Sequence, residues 1–374
     1  MLLFFYFKSM NENHFNIVVI GSGVVGLAIA ERLSRDFSDI LVVEKEKNFG
    51  YHTSSHNSEV IHSGFYYPEN SLKAKLCIKG NSMIYDFSKK YNINFKRCGK
   101  LVVCNNLNEI KQLEELKIKA ENNGLLDVKL LSENEAKKVE PNVKCKAALW
   151  FKDSGIMDSH GIMAKLENIA KHNDVSFAYN YTVNNIQKSS SGFKISFLNE
   201  ELKIKANIVI NAAGLWSHEI SKFLGYNYNV EYYKGDYFKT NQLKNLNCLI
   251  YPLPTKLSLG VHAILNLNGE VFFGPNIYKV DKIDYHTTDK YKDMFKNEIS
   301  KFINYKITDL HPDYSGIRPK IKFENDINDF VIKRGKHHEN FYNLIGIDSP
   351  GLTSSLAIAE YLSKIIKNWN NPTW

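Results

Sequence analysis

The sequence predicts an α/β (α+β, two-domain) fold in which a parallel-sheet domain is interleaved with a domain built on a mostly antiparallel sheet. A strand, a glycine-rich turn, a helix and a second strand occupy about residues 15–45. Alternating residues at 175–206 and strand patterns at 228–275 are typical of antiparallel sheet. Buried-strand patterns followed by small-residue turns return at 207–214 and 341–353. Because no linker or internal repeat separates these pieces, the two domains are expected to interleave.

The first unit carries the fingerprint of a dinucleotide-binding βαβ fold. Gly21 permits a tight turn off the first strand, Gly23 leaves room for a pyrophosphate at the helix N-terminus, and Gly26 lets helix and strand pack closely. Glu44, at the end of the second strand, is placed to accept hydrogen bonds from ribose hydroxyls. The polar residues 53–55 either approach the pyrophosphate or a ribose, or form a plain polar loop. We therefore predict a Rossmann-like domain with a bound dinucleotide.

The rest of the chain favours a flavin over a nicotinamide dinucleotide. A nicotinamide dehydrogenase usually completes its dinucleotide unit within about the first 150 residues, and that second half is missing from this sequence. Two distant turns, 207–214 and 346–353, follow strand patterns instead. A helix that begins at 351–353 would direct its positive end toward charge that develops on the flavin. The alternative is that both are ordinary turns between a strand and a helix and contact no cofactor. We predict that the bound dinucleotide is FAD.

The cofactor domain is predicted to be discontinuous and to comprise residues 12–90, 145–220 and 325–374. The substrate domain is predicted to comprise residues 91–144 and 221–324. Residues of the glycine-rich turn, the end of the second strand, the polar loop and the distant strands and turns are predicted to contact FAD: Gly21, Gly23, Val25, Gly26, Glu44, Lys45, Thr53, Ser54, Ser55, Val183, Ala213, Gly214, Gly351, Leu352 and Thr353.

Composition and charge exclude several other classes of protein. At 374 residues the chain is long enough to bury two large cores. Its lysines are scattered, so the net charge of +8 predicts a surface that attracts anionic substrates and no nucleic-acid partner. Five cysteines without CxxC or zinc-ligand spacing predict a reducing compartment and no metal site. The apolar residues 1–8 are too short to span a bilayer and lack signal-peptide features, so we expect a cytoplasmic protein with at most peripheral membrane contact.

Four stretches carry a resemblance to a known family. They are the glycine-rich turn, His56-Asn-Ser-Glu-Val-Ile-His-Ser-Gly with the residues that follow to Cys77, Cys98-Gly-Lys-Leu-Val-Val, and Gly316-Ile-Arg-Pro-Lys with Ser349-Pro-Gly-Leu-Thr-Ser-Ser-Leu-Ala. In order and spacing they resemble the FAD-dependent amino-acid oxidase superfamily and, within it, the L-2-hydroxyglutarate dehydrogenase/oxidase group. The resemblance implies that FAD oxidises a small anionic 2-hydroxy acid, L-2-hydroxyglutarate, to 2-oxoglutarate by hydride transfer to flavin N5.

One position departs from the pattern of that group. Where its better-known members have a glycine before Val-Ile-His, this chain has Glu59. A carboxylate at this position is expected either to alter substrate choice or to point into solvent.

The resemblance also implies catalytic roles. Arg318, in the Gly-Ile-Arg-Pro motif, is predicted to clamp the substrate carboxylate, because an arginine in a similar motif does so in relatives that oxidise amino acids. His262 and then His62 are the candidates for the base that takes the hydroxyl proton. Tyr237 is expected to donate a hydrogen bond to substrate or flavin. The alternatives are a structural ion pair for the arginine, structural histidines, and sheet packing for the tyrosine.

Several questions stay open at the level of sequence. A second substrate carboxylate would need a second cation, for which the unranked candidates are Lys73, Lys75, Lys100 and Lys320. Oxygen, a quinone and an electron-transfer protein are the candidate electron acceptors, and His52 is near enough to raise the question of a covalent flavin link. Two other functions fit the same residues: an FAD-dependent amine or amino-acid oxidase, and a flavin- or nucleotide-binding protein without turnover.

Overall fold

The computed structural model describes residues 14–254, 260–322 and 329–370. The apolar start, residues 1–8, therefore lies outside the described residues. Within them the strands form an eight-stranded, a nine-stranded and a three-stranded sheet. None of the described helices combines the length and the apolar character that a membrane span requires.

Strands and helices are numbered in chain order. The strands are β1 His14–Ile20, β2 Ile40–Glu44, β3 Val60–Ile61, β4 Phe95–Lys96, β5 Lys100–Cys104, β6 Lys129–Ser132, β7 Ala147–Phe151, β8 Gly155–Met157, β9 Ser176–Tyr179, β10 Val183–Ser189, β11 Gly192–Phe197, β12 Lys203–Asn211, β13 Val230–Lys244, β14 Leu249–Pro252, β15 His262–Leu265, β16 Glu270–Gly274, β17 Tyr278–Val280, β18 His311–Ile321, β19 Val331–Arg334 and β20 Phe341–Ile345. The α-helices are α1 Val24–Leu33, α2 Leu72–Tyr91, α3 Ile110–Asn122, α4 Glu133–Val139, α5 Ser159–His172, α6 Ser217–Lys222, α7 Lys292–Phe302 and α8 Gly351–Asn370.

The eight-stranded sheet is the predicted Rossmann-like sheet. Its parallel strands lie in the order β9-β2-β1-β12-β20, and β10, β11 and β19 pair antiparallel beside them. β1 is buried on both faces, because Ile17 and Val19 pack with α1, α5 and α8 while Val18 and Ile20 pack with β10 and β11. β12 runs parallel to β1, so the turn at 212–214 comes to the same edge as the glycine-rich turn.

The nine-stranded sheet is mostly antiparallel, which confirms the predicted fold class. Its order is β17-β13-β16-β15-β14-β5-β7-β6, with β18 also paired to β13. β14 and β5 form a parallel pair within it. Four of its strands, β13, β14, β15 and β18, carry Tyr237, Tyr251, His262 and Arg318. This sheet therefore supplies most of the candidate residues for the reaction.

One strand departs from the predicted domain boundaries. β7 lies within 145–220, which the sequence assigned to the cofactor domain, but it pairs with β5 and β6 in the nine-stranded sheet. Its Ala-Ala-Leu-Trp-Phe run is continuously apolar, so it contains no alternation that would assign it to a half-exposed sheet. The remaining boundaries stay a prediction.

Candidate active site

A cavity of ≈ 450 Å³ lies between the two large sheets. One wall comes from the carboxyl ends of β1, β2, β12 and β20, where parallel sheets bind their ligands. The other wall comes from β13, β14, β15 and β18. The volume falls within the range of about 300–1,000 Å³ that is common for cofactor and small-molecule sites.

The cavity brings together predicted residues from both ends of the chain. All of the residues predicted to act in catalysis line it: His62, Tyr237, His262 and Arg318. Most of the predicted cofactor contacts also line it, namely Gly21, Gly23, Val25, Glu44, Lys45, Thr53, Ser54, Val183, Ala213, Gly214, Gly351 and Leu352.

Three predicted cofactor contacts do not line the cavity. Gly26 has the predicted packing role, because a Cβ there would lie 2.0 Å from the carbonyl oxygen of Gly21. The Ser55 hydroxyl donates to the Gly50 carbonyl instead. The Thr353 hydroxyl donates to the Val60 carbonyl at 3.2 Å, inside the protein. The hydroxyls of Ser55 and Thr353 therefore hold the surrounding backbone, and contact of these residues with FAD stays a prediction.

The turn before α1 leaves space for an anion. Gly21 has φ +103°, which a side chain rarely tolerates, and a Cβ on Gly23 would lie 2.9 Å from Ser54 Oγ. The same Ser54 Oγ accepts a hydrogen bond from the Val24 amide at 3.0 Å. The first turn of α1 contains no acidic residue, so the helix itself places no negative side chain against a phosphate at its positive end.

Glu44 is held in place by its own loop and keeps room for a ligand. Its Oε2 accepts from the amide and the hydroxyl of Ser22 at 2.8 and 3.0 Å, and its Oε1 accepts from the Glu46 amide at 2.9 Å. A carboxylate offers about four acceptor positions, so about one is left for a ribose hydroxyl. The ribose contact predicted for Glu44 from the sequence stays a prediction.

Trp216 lines the cavity although no sequence motif selects it. The Lys45 ammonium lies 3.1 Å from the centroid of its ring, and burial lowers the pKa of Lys45. The His52 ring packs edge-on against the same indole with centroids 4.5 Å apart, and its Nε2 lies 2.8 Å from Glu46 Oε1. The sequence did contain a signal for Trp216, because it is an aromatic residue two positions after Gly214, the last residue of a predicted cofactor turn.

His262 presents one ring nitrogen as an acceptor. Because a carbonyl can only accept, the 2.8 Å contact between Nδ1 and the Gly260 oxygen places the proton on Nδ1 and leaves the Nε2 lone pair free to accept. The ring stacks on Tyr251 with centroids 3.8 Å apart. Burial lowers the pKa of His262 to about 3, so the ring is neutral near pH 7.

His62 has a polar neighbour at each ring nitrogen. Nδ1 lies 3.4 Å from Lys100 Nζ, and Nε2 lies 3.4 Å from Ser349 Oγ. The backbone is fixed on both sides, since its amide donates to Thr353 Oγ1 at 3.1 Å and its carbonyl accepts from Asn81 Nδ2 at 3.0 Å. Burial, with the Lys100 charge as the next cause, lowers the pKa of His62 well below 6.5.

Arg318 brings a positive charge to the cavity. It forms no salt bridge with an acidic side chain in the part of the chain that the structure describes, unlike the other described arginines. Burial raises the pKa of Tyr237, and the Arg318 guanidinium partly opposes this rise. Tyr251 also lines the cavity, and its hydroxyl is buried without a hydrogen-bond partner among the described residues. The unbalanced charge and the unpaired hydroxyl indicate that an anionic, hydrogen-bonding ligand belongs in this cavity.

The four lysines that were candidates for a second cation lie in different surroundings. Lys73 Nζ lies 2.7 Å from Asp348 Oδ1 in a buried ion pair, and Lys75 is exposed on α2. Lys320 is half-buried, with its ammonium 5.2 Å from the Tyr233 ring centroid. Lys100 is buried behind His62. None of the lysines in this set is among the described residues that line the cavity, so the structure does not support any of them as a direct ligand of a second carboxylate.

Glu59 neither reaches the cavity nor points into solvent. Its Oε1 accepts from the amide and the hydroxyl of Ser159 at 3.0 and 2.6 Å, at the start of α5. Its backbone has φ +52°, in the left-handed region where glycine is favoured. The structure shows a local hydrogen bond for this carboxylate, and an effect on substrate choice stays a prediction.

Comparisons with known proteins agree with this geometry. The family model described as FAD dependent oxidoreductase matches residues 16–365. A mitochondrial L-2-hydroxyglutarate dehydrogenase of Arabidopsis thaliana is 35% identical over 95% of this chain and 84% of the relative. A glycerol 3-phosphate dehydrogenase of Caloramator mitchellensis is 29% identical over 95% of this chain and 74% of the relative.

Solved structures give the same result. The L-alpha-glycerophosphate oxidase of Mycoplasma pneumoniae with FAD bound superposes with a TM-score of 0.87, at 28% identity and with 95% of each chain covered. Glycine oxidase of Geobacillus kaustophilus, at 15% identity and a TM-score of 0.82 over 95% of each chain, shares the fold. The chain therefore belongs to the FAD-dependent oxidoreductase family, and FAD is its cofactor.

Proposed function

We propose that this enzyme oxidises a small anionic 2-hydroxy acid, L-2-hydroxyglutarate in particular, to the 2-oxo acid. The observation that carries the proposal is the cavity in which Arg318, His62 and His262 lie opposite the turns that fit FAD. The names of several relatives, among them the plant L-2-hydroxyglutarate dehydrogenase at 35% identity, support the same substrate.

The residues for holding FAD come from the parallel-sheet wall. The α1 N-terminus, with Gly21 and Gly23, would take the pyrophosphate, and Glu44 would accept from a ribose hydroxyl. Gly351 and Leu352 open α8, where the first amides have no partner within the helix. Their positive end would stabilise negative charge on the flavin ring. When bound, FAD accepts the hydride of the substrate at N5.

The opposite wall would hold the substrate. We assign the α-carboxylate to Arg318, because a guanidinium binds a carboxylate with two parallel hydrogen bonds. We assign the base to His62 rather than to His262, which the sequence ranked first. Burial lowers the pKa of both rings, but His62 also has Lys100 Nζ 3.4 Å from its Nδ1, and a neutral amine there can take the proton onward. His262 Nε2 then accepts a hydrogen bond and orients the hydroxyl.

The distal carboxylate of a five-carbon diacid would meet hydroxyl groups instead of a lysine. Tyr251, Tyr237 and Ser58 line the same cavity, and the Tyr251 hydroxyl is without a partner among the described residues. Such donors bind a carboxylate more weakly than a second cation would.

Glycerol 3-phosphate is the second candidate substrate. Two relatives support it by their names, the Caloramator mitchellensis dehydrogenase at 29% identity and the FAD-bound oxidase at 28% identity. A phosphate presents the same bidentate oxygens to Arg318 as a carboxylate does. An amine or amino-acid oxidase of the same fold is a third candidate, for which glycine oxidase supports the fold alone.

Anaerobic reduction of the bound flavin tests these assignments. Purified yellow enzyme is mixed with L-2-hydroxyglutarate, its D-enantiomer, glycerol 3-phosphate, glycine or sarcosine, and flavin absorbance is recorded. We expect rapid bleaching by L-2-hydroxyglutarate and little by the D-enantiomer. Bleaching by glycerol 3-phosphate alone would select the second candidate, and bleaching by the amines alone would select the third. Flavin that none of them reduces would favour a binding protein without turnover.

The same enzyme can be used to identify the electron acceptor. Oxygen, a quinone and an electron-transfer protein remain the proposed acceptors, and the reoxidation rate of the reduced flavin with each of them separates the three. A cytoplasmic location also stays a proposal, since the plant relative is named as mitochondrial.

A further inference from the structure

Lys100 is a buried lysine without a carboxylate partner among the described residues. Its side chain is 0% exposed, and it forms no salt bridge with any acidic group in that part of the chain. Its Nζ lies 3.4 Å from His62 Nδ1, 4.1 Å from the Tyr251 ring centroid and 5.4 Å from that of Phe65. A charged ammonium in such surroundings is strongly disfavoured, whereas a neutral amine can accept a hydrogen bond.

The groups around Lys100 do not titrate near neutrality. Cys77 on α2 and Cys98 before β5 face it, and burial raises the pKa of each thiol, to about 12 for Cys77. Burial lowers the pKa of His62 and His262, the latter to about 3. Arg318 supplies a further positive charge near both histidines. Burial lowers the pKa of Lys100 itself to about 7.

We propose that Lys100 is a positioning residue that receives, through the His62 ring, the proton lost by the substrate hydroxyl. This rests on the proposed function. Before the reaction, His62 Nδ1–H donates to the Nζ lone pair of Lys100, and the lone pair of Nε2, which lies 3.4 Å from Ser349 Oγ at the cavity, accepts from the substrate hydroxyl. The hydroxyl proton then moves to Nε2, the Nδ1 proton moves to Nζ, and the C–O bond becomes C=O as the hydride leaves for the flavin. Lys100 ends as an ammonium over the Tyr251 ring.

A charged Lys100 would prevent this step. As an ammonium it can only donate, so it would fix the His62 proton on Nε2 and leave no lone pair toward the substrate. Flavin reduction therefore requires neutral Lys100. The second-order rate constant of reduction, which reports on the free enzyme, is expected to rise with pH through about 7.

The first measurement reads the charge of Lys100 without any turnover. Thermal unfolding of the holoenzyme in excess FAD is compared with that of Lys100→Met between pH 5.5 and about 9.5. Below about pH 7 the lysine is charged in both folded and unfolded states, so the wild type bears the full penalty of burial. Above it the folded state loses the proton while the unfolded chain keeps it to about pH 10.4, so the wild type gains stability. The Tm advantage of Lys100→Met should shrink as pH rises.

The second measurement is anaerobic stopped-flow reduction across the same pH range. Lys100→Met is expected to reduce its flavin about 100-fold more slowly at pH 8 and to lose the rise near pH 7. Lys100→Arg keeps a permanent charge, so it should bind FAD, reduce slowly and show no rise either. Lys75→Met, an exposed lysine on α2, is the matched control and should keep the wild-type profile.

The outcomes separate the inference from the proposed function. A Tm difference that is constant with pH would overturn it, because Lys100 would then keep its charge in the folded state. The inference would also be overturned if the rate constant of flavin reduction in Lys100→Arg or Lys100→Met rose near pH 7 as it does in the wild type. If Lys100→Met does not fold, Lys100→Arg alone decides the kinetic arm. If no 2-hydroxy acid reduces the flavin, the proposed function fails, while the unfolding comparison still reports on the lysine.

Discussion

Glu59 occupies a backbone conformation that usually calls for glycine. A left-handed φ of +52° costs a residue with a Cβ about 1–2 kcal/mol relative to glycine. Against this cost stand two hydrogen bonds from Ser159 to a charged carboxylate, worth about 1.5–3 kcal/mol each. The carboxylate also lies at the positive end of α5, which adds about 0.3–1 kcal/mol. The hydrogen bonds outweigh the strain, so a glutamate is stable where the resembling group has glycine.

Glu59→Gly is therefore expected to destabilise the protein by at least about 1 kcal/mol, despite the relief of backbone strain. Its flavin reduction rate should stay unchanged, because the side chain does not line the cavity. Denaturant unfolding and stopped-flow reduction measure the two effects. Glu59→Gln, which keeps one acceptor oxygen, is the control and should lose less stability. A stabilised glycine variant would mean that backbone strain outweighs the hydrogen bonds from Ser159.

Arg318→Lys should weaken substrate binding while FAD stays bound. A lysine keeps the charge but loses the planar fork, and the loss of a well-placed charged pair costs about 3 kcal/mol, roughly a 100-fold rise in substrate Kd. The Kd is read from the substrate dependence of flavin reduction. Arg334→Lys is the matched control, because Arg334 pairs with Glu339 at 2.9 Å and does not line the cavity. An unchanged substrate Kd in Arg318→Lys would contradict the assignment of the substrate carboxylate to Arg318.

The sequence could predict single residues where a motif marks them, and it failed where only the fold brings groups together. Arg318 and the glycine-rich turn stand in recognisable motifs, and they line the cavity as predicted. Lys100 stands in an apolar strand, where a lysine normally extends to solvent, so its burial behind His62 followed from tertiary packing alone. No motif in the sequence marks Tyr251, whose hydroxyl is buried without a hydrogen-bond partner among the described residues.

At the scale of elements, the start of α8 decides which of its first residues line the cavity and which side chain points into the protein. Gly351 and Leu352 line the cavity, and successive helical residues point about 100° apart. The next side chain therefore turns inward, where its hydroxyl accepts from the His62 amide at 3.1 Å and donates to the Val60 carbonyl. Helix α8 thus fixes His62 from behind, while Gly351 and Leu352 line the cavity at its first turn. Sequence identified the helix start but not the direction of each side chain.

Two glycines at the start of α1 are expected to have different roles, Gly26 in packing and Gly23 in cofactor binding. A methyl at Gly26 would lie 2.0 Å from a backbone oxygen, which cannot move away, so Gly26→Ala should destabilise even the FAD-free protein by about 2–3 kcal/mol. A methyl at Gly23 meets the Ser54 hydroxyl, which can rotate, so Gly23→Ala should fold normally yet lose FAD on desalting. The loss of stability is measured by unfolding of the apoprotein, and the loss of FAD is measured by the flavin-to-protein ratio after desalting. Equal losses of apoprotein stability would contradict this division.

At the scale of the whole molecule, the cavity draws its walls from two sheets with different roles. The parallel sheet offers helix N-termini, which suit the phosphates and the flavin ring. The antiparallel sheet offers side chains from four of its strands, which suit a small substrate. Interleaving of the chain is what lets both face one cavity, because β20 and α8 return to the first sheet after the nine-stranded sheet is complete.

The net charge of +8 gives the molecule a positive field, which is expected to attract dianions. Screening shortens the range of such a field from about 30 Å at 0.01 M salt to about 8 Å at 0.15 M. The second-order rate constant of flavin reduction by L-2-hydroxyglutarate should therefore fall several-fold between these salt concentrations. The reduction rate at saturating substrate should not change, because that step involves no encounter between charged partners. Stopped-flow reduction at both concentrations measures the two constants, and an equal fall in both would mean that salt acts on the chemical step instead of on attraction.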